Sequence, residues 1–306
     1  MGLTQCLNTN SSILMEGALG ERLKREFHLS FDDHIAMAGL VYDANGQNAL
    51  EAIWQQYINI TRLYHLPFLA TTPTRRANKE RISLAGKDSA VIQDNIRFLK
   101  SLQERSGIEM YAGCLMGCYG DAYTGKGALP RIEAKAFHLW QASLAKEAGA
   151  DFLYAGIMPT LPEAIGMAEA MADTELPYII SFTIMMDGCL IDGTTIHQAI
   201  ETLDKEVPMP PLCYMANCVH PTILYKALAQ PFNQTELVHS RFLGIQANTS
   251  PLPYCELEEA KDLKCSEPKA FADEMLRVKR DMHLIIMGGC FGTDHRHMQA
   301  MAKCFL

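Results

Sequence analysis

No uninterrupted apolar run reaches the roughly 18 residues that a transmembrane helix needs, so the chain reads as having no membrane span. Positive charge is scarce: 27 Lys and Arg stand against 35 Asp and Glu, a net charge of −8. That balance lacks the basic footprint of nucleic-acid binding, and because the charges are scattered it reads as ordinary solubility. No Gly-x-Gly-x-x-Gly follows the first strand-like segment, which argues against a dinucleotide fold. The ten cysteines never fall as Cys-x-x-Cys; dispersed over 306 residues, they read as reduced thiols rather than a disulfide framework. Residues 1–10 lack the basic-then-apolar order of a signal peptide, so a cytoplasmic location is expected. No apolar stripe stands apart from the core pattern to mark a subunit interface, and the oligomeric state is left open.

What the chain has is apolar content, 48% of its residues, enough for a large core without staples. Its seventeen methionines read mostly as gap-filling core residues. Short β-branched runs alternate eight times with longer amphipathic segments. The strand candidates are Ile13–Met15, Phe68–Thr72, Met110–Met116, Phe152–Ile157, Tyr178–Ile184, Leu212–Cys218, Phe242–Asn248 and Leu284–Gly288. Helical periodicity follows each one, over 47–64, 88–104, 132–148, 161–173, 195–204, 221–230, 268–282 and 295–304. In the first of these, Ala49, Ile53, Tyr57 and Ile60 recur at helical spacing. Strict β/α alternation implies a parallel sheet with right-handed crossovers. Eight units in this length predict a closed (β/α)8 TIM barrel, one domain over residues 1–306. Two connections, Gly117–Arg131 and Thr249–Glu267, leave strand C-termini, the face where barrel sites lie, and read as lids.

Two cysteines end strands near that face. Cys218 closes the sixth strand in Asn217-Cys218-Val219-His220-Pro221, and Cys290 closes the eighth in Gly288-Gly289-Cys290-Phe291. Strands two apart in a barrel bring their ends together over the mouth, where two thiols could share a soft metal such as zinc. Gly288 and Gly289 let the backbone approach closely. Each cysteine alone reads more readily as a buried structural residue; it is the pair at two strand ends that points to a metal. Zinc deprotonates a thiol that binds it, and a substrate thiol in the open position becomes a nucleophile.

From here most of the chain, about residues 11–304, resembles the homocysteine S-methyltransferases. The motifs run in order. Leu14-Met15-Glu16-Gly17-Ala18-Leu19-Gly20 resembles the family's opening turn, and Phe68–Thr74 its threonine motif. Gly113–Asp121 stands where the family has a Gly-Pro-Tyr-Gly loop, keeping Tyr119-Gly120. Ala148-Gly149-Ala150-Asp151 with Pro159 and Glu163-Ala164, then Ser181-Phe182-Thr183 with Asp192-Gly193, resemble the fourth and fifth units. Asn217-Cys218 and Gly288-Gly289-Cys290 match the zinc motifs.

The resemblance implies zinc held by Cys218 and Cys290, a small-molecule thiol acceptor, a methyl donor, and a place in methionine biosynthesis. It implies amides of Gly17 and Ala18 for the acceptor's carboxylate, Glu16 for its ammonium, and Thr72, Asn217 and Tyr119 as further substrate-binding residues. Three positions depart from the pattern. Phe291 stands where the family has a second cysteine and third zinc thiolate. Asp294 or His295 is a candidate replacement ligand, as are His297, His220, Cys114, Cys118 and Cys189. Cys213, five residues before Cys218, reads as lying on the opposite face of a regular strand and as structural. Gly156 stands where a glutamate contacts the amino group of homocysteine, which opens the pocket to a larger thiol or one without that ammonium; Asp187 is a candidate compensation. The third-strand loop lacks its proline, leaving Tyr119 and Tyr123 as aromatic cover for a cationic donor and Arg75 and Arg76 as sites for an anionic one. The donor stays open among sulfonium, betaine-type and corrinoid chemistry. The rival reading is a binding barrel that has lost the full zinc site.

Overall fold

In the computed structural model, residues 2–252 and 265–305 are described. Eight strands pair in parallel in chain order and close on themselves: β1 Ile13–Met15, β2 Phe68–Thr71, β3 Met110–Gly117, β4 Phe152–Met158, β5 Tyr178–Phe182, β6 Cys213–Val219, β7 Phe242–Ala247 and β8 Ile286–Gly289. The closure is β1 against β8, with Leu14 opposite Met287. The expected (β/α)8 architecture is therefore present.

Helices surround the strands, the first of them packing against the inner core of the barrel. In chain order they are α1 Leu3–Thr9, α2 Gly20–Glu26, α3 Ala44–Tyr64, α4 Lys79–Leu84, α5 Ala90–Ser106, α6 Arg131–Glu147, α7 Leu161–Ala172, α8 Ile196–Glu206, α9 Pro221–Leu228, α10 Glu236–Arg241, α11 Pro268–Asp281 and α12 His295–Lys303. Local chemistry sets several starts. Asp43 accepts the Gly46 amide at the head of α3, and Thr195 with Gln198 forms a capping box on α8. Among the described residues no helix is long and apolar enough to cross a membrane.

Alternate strand residues fill two compartments. Met15, Leu69, Tyr111, Phe152, Tyr154, Ile179, Cys213 and Met215 pack inside the barrel, and Leu3, Cys6 and Leu7 of α1 join the same cluster. The opposite faces pack under the helices. The inward layer is a filled core, so space for a ligand is left above it, at the strand C-termini.

Two strand limits differ from expectation by two residues, and the others by one at most. β5 stops at Phe182 because Ile184 bridges Leu190 within the following loop. β8 begins at Ile286; Leu284 is buried in the outer layer instead. Of the second long connection, residues 253–264 lie outside the described residues.

Candidate active site

A cavity of about 310 Å3 opens at the C-terminal mouth, in the size range of small-molecule sites. Cys218 and Cys290 both line it, with their sulfur atoms 2.9 Å apart. A regular strand would not aim them so. Asn217 faces the interior, so Cys218 would face the helices; instead Cys218 takes a left-handed backbone at φ +57, and the pairing of β6 with β7 slips between Asn217 and Val219. β4 repeats the device, with Ile157 at φ +59 beside a slip between Ala155 and Met158. The Asn217 carboxamide oxygen ties the two distortions together, accepting from the Ile157 amide at 2.9 Å and the Ser181 hydroxyl at 2.7 Å. Strained backbone gathers where ligands are held. Cys213 lies deep in the barrel core, on the same inward side as Asn217, and the bulge turns Cys218 inward as well, so the opposite faces expected of these two cysteines on a regular strand are not what the structure shows.

The pair shares its proton unequally. The hydrogen bond from Cys290 holds the Cys218 thiol below the ordinary thiol range, with help from Tyr123 and from the charge of Arg75. That same bond, with burial, pushes Cys290 well above it.

Glu16 lines the cavity but turns its carboxylate toward the helix layer. It accepts from Trp54 Nε1 at 2.7 Å and from the amide and hydroxyl of Thr71 at 2.9 and 2.5 Å. Burial pushes it up to about 7 against those bonds. Thr71 is thus a support residue that sequence reading missed, one position before Thr72. Thr72 lines the cavity, with its hydroxyl 2.7 Å from that of Thr74 and accepting the Leu115 amide. Gly17 and Ala18 also line it, although the Ala18 amide already donates to the Thr293 hydroxyl at 3.0 Å.

Other expected residues lie elsewhere. Tyr119 packs edge-on against Phe137 with centroids 4.9 Å apart; Tyr123, from the same loop, lines the cavity instead. Asp294 caps α12 and bonds Arg296 and His297, while His295 sits in an outer groove with Gln56 and Asn59. His220 caps α9 and pairs with Glu274. Cys114 is buried in the outer layer, Cys118 bonds the Gly120 carbonyl, and Cys189 bridges Thr195. Asp187 accepts the Cys189 amide in the loop after β5. Among the described residues no cluster of three or more His, Cys, Asp or Glu forms a metal set, and Phe291 lines the wall beside Cys290. At Gly156, a β-carbon would lie 2.7 Å from Leu115 Cδ1, so Leu115 fills the space of a side chain there.

A model of the homocysteine S-methyltransferase family matches residues 13–305. Among solved structures, the metallated form of the homocysteine methyltransferase MmuM from Escherichia coli superposes with a TM-score of 0.77 at 18% identity, covering 98% of this chain and 99% of that one. Its oxidized form gives 0.77 at 18%, covering 97% of each. Its apo form gives 0.67 at 18%, again over 97% of each. Among curated proteins none matches the sequence.

Proposed function

Since the chain belongs to the homocysteine S-methyltransferase family, a family of methyltransferase enzymes, we propose that it moves a methyl group onto the sulfur of a small thiol, homocysteine or a related one. The donor is of sulfonium, betaine-type or corrinoid chemistry. The whole chain, residues 1–306, acts as one barrel domain. One observation carries the reading: two thiols from strands two apart meet at 2.9 Å on the wall of a cavity at the catalytic face.

Zinc is the metal that the resemblance implies, and when bound it would deprotonate and present the acceptor thiol. The donors present test that. A catalytic zinc takes three protein ligands and leaves one position open. The described residues offer two thiols, with Phe291 where a third would stand. That set falls short, so no step here runs through the metal.

The side chains of the chain itself divide the remaining work. Arg75 favours an anionic sulfur beside the thiol pair. Leu115, Ile157 and Phe291 give an apolar wall that keeps water from a reactive thiolate. Asn217 holds the ends of β4 and β6 in register with each other. The acceptor sulfur then forms its bond to the methyl carbon as the bond from that carbon to the donor breaks, in line. The dispersed cysteines, none of them in a Cys-x-x-Cys motif, support a reducing compartment, the cytoplasm.

Phe291 favours a second reading, a barrel that binds a small molecule without catalysis. Incubating the purified protein with a panel of thiols and S-methylmethionine, betaine or methylcobalamin separates the two. Methylated product from wild type, absent with Cys218→Ala, supports the first. A panel without product, together with tight binding of a thiol, leaves the second.

A further inference from the structure

We propose that Gln246 determines acceptor specificity by donating its side-chain amide to an oxygen of the thiol, a carbonyl or carboxylate within about three carbons of the sulfur. Tyr154 acts through it as a positioning residue. This rests on the methyl-transfer reading and narrows its acceptor.

Gln246 stands on β7, the strand between the two that end in the thiols. Its register partners are Asn217, which directly precedes Cys218, and Gly288, which shortly precedes Cys290. Adjacent strands lie about 4.8 Å apart, so a group that meets the Gln246 side chain is only a few bonds from a sulfur held at the thiol pair. The inward course of that side chain is built in. A β-carbon at Gly288 would lie 3.0 Å from Gln246 Cγ and 2.9 Å from Met15 Cβ, so the glycine leaves it room. Gln246 is 8% exposed, and it lines the cavity.

The carboxamide has one orientation. Tyr154 of β4 is fully buried, and its hydroxyl donates to Gln246 Oε1 at 2.9 Å. Burial, foremost, holds that hydroxyl well above the ordinary phenol range, so it stays a donor. A buried phenol needs an acceptor, and the Gln246 oxygen supplies it. Nε2 is thereby left to the cavity, with no partner among the described residues. Asn217 beside it is set the same way. Its oxygen accepts from the Ile157 amide and the Ser181 hydroxyl, and its nitrogen lies 4.0 Å from the Cys218 sulfur. Two neighbouring carboxamides thus turn their oxygens into the protein and offer their N–H groups at the cavity. Such a floor takes an acceptor oxygen. Apolar carbon in the same place leaves a nearly buried donor unpaired, a loss that separates ligands of equal shape strongly.

The test compares two uncharged thiols of the same shape, 3-mercaptopropionamide and 3-methylbutane-1-thiol, with S-methylmethionine, betaine or methylcobalamin as donor. In parallel, calorimetry measures binding of their unreactive methyl thioethers. The expected result is a kcat/KM for the amide about tenfold or more above that for the hydrocarbon, with a matching preference in binding. Gln246→Met keeps the shape of the side chain without its N–H, and is expected to erase both preferences through KM. Tyr154→Phe is expected to weaken them, and to add nothing in the Gln246→Met background, where a purely structural role would still tell. Equal use of the two thiols by wild type, or a preference unchanged in Gln246→Met, overturns the proposal. If no thiol is methylated, the methyl-transfer reading fails, and binding alone decides: a preference for the amide thioether that Gln246→Met loses supports the role of Gln246, and no preference or no binding overturns it. Should Gln246→Met not fold, Tyr154→Phe carries the test, and an undiminished preference there overturns it. The wild-type comparison stands in every case.

Discussion

The sulfur atoms of Cys218 and Cys290 come within 2.9 Å although 72 positions separate them in the chain. Barrel closure brings the ends of β6 and β8 near each other, but it does not aim the side chains. Aim comes from the left-handed turn at Cys218, which carries its thiol inward directly after the inward-facing Asn217. Removing either sulfur should therefore cost the reaction and spare the fold. Cys218→Ala and Cys290→Ala are each expected to lose methyl transfer and any metal binding while keeping the far-ultraviolet circular dichroism of wild type. Unfolding of both variants, or methyl transfer undiminished in either, would show that the pair serves the core instead.

The left-handed conformation at Cys218 gives a sharper separation of function from stability. A residue with a β-carbon at φ +57 is strained by about 1–2 kcal/mol, and glycine is not. Cys218→Gly should thus be more stable than Cys218→Ala by about 1 kcal/mol, which for a chain of this size moves Tm by about 2 °C. Both should be inactive. Thermal unfolding of the two side by side checks this; an alanine variant as stable as the glycine one would mean the strand relaxes out of the bulge once the thiol is gone.

Much of this was legible beforehand because barrel strands buried on both faces carry their signal in every residue. Ile13–Met15 and Phe68–Thr71 sit where short apolar runs predict them, and α3 and α5 where the period of apolar residues does. The seven-residue α1 was not foreseen, since Leu3, Cys6 and Leu7 make too short a stripe to separate from loop, yet they plug the barrel floor. The bulges at Ile157 and Cys218 left no mark either. Non-glycine residues in left-handed backbone are set by the surrounding hydrogen bonds, here those of Asn217, and not by their own propensity. The choice of Tyr123 over Tyr119 at the cavity depends on how Asp121 turns the loop by accepting the Tyr123 and Thr124 amides, a detail of path rather than of composition.

Glu16 should leave a trace in the dependence of stability on pH. Its folded value, about 7, lies above the ordinary 4.5 of an exposed glutamate because burial disfavours the charged form. The native state therefore binds this proton more tightly than the unfolded chain does. Its contribution is fully present below pH 4.5 and is lost as pH rises through 7, about 3 kcal/mol in all. Glu16→Gln keeps an acceptor for Trp54 and removes the titration. Denaturant unfolding at pH 5 and pH 8 should show the wild type losing more stability over that interval than the variant. Because other groups titrate in the same window, the difference between the two proteins is the readout, and parallel profiles would place the Glu16 carboxyl in a wetter setting than its 3% exposure implies.

Phe291 is where the metal question can be answered by addition rather than removal. It lines the cavity next to Cys290, and the described donors stop at two thiols. A structural zinc site of four ligands is worth about 10–16 kcal/mol, or about 3 kcal/mol per ligand, so one added thiolate in reach of the pair should tighten binding on the order of 100-fold. Phe291→Cys is expected to retain zinc through dialysis against a weak chelator at a concentration where the wild type loses it, with elemental mass spectrometry giving about one zinc per chain. The gain should vanish in Phe291→Cys with Cys218→Ala, because the set then returns to two donors. A wild type that already holds stoichiometric zinc against the same chelator, unchanged by the added thiol, would mean that a ligand beyond the described residues completes the site, and the shortfall argued from Phe291 would be wrong.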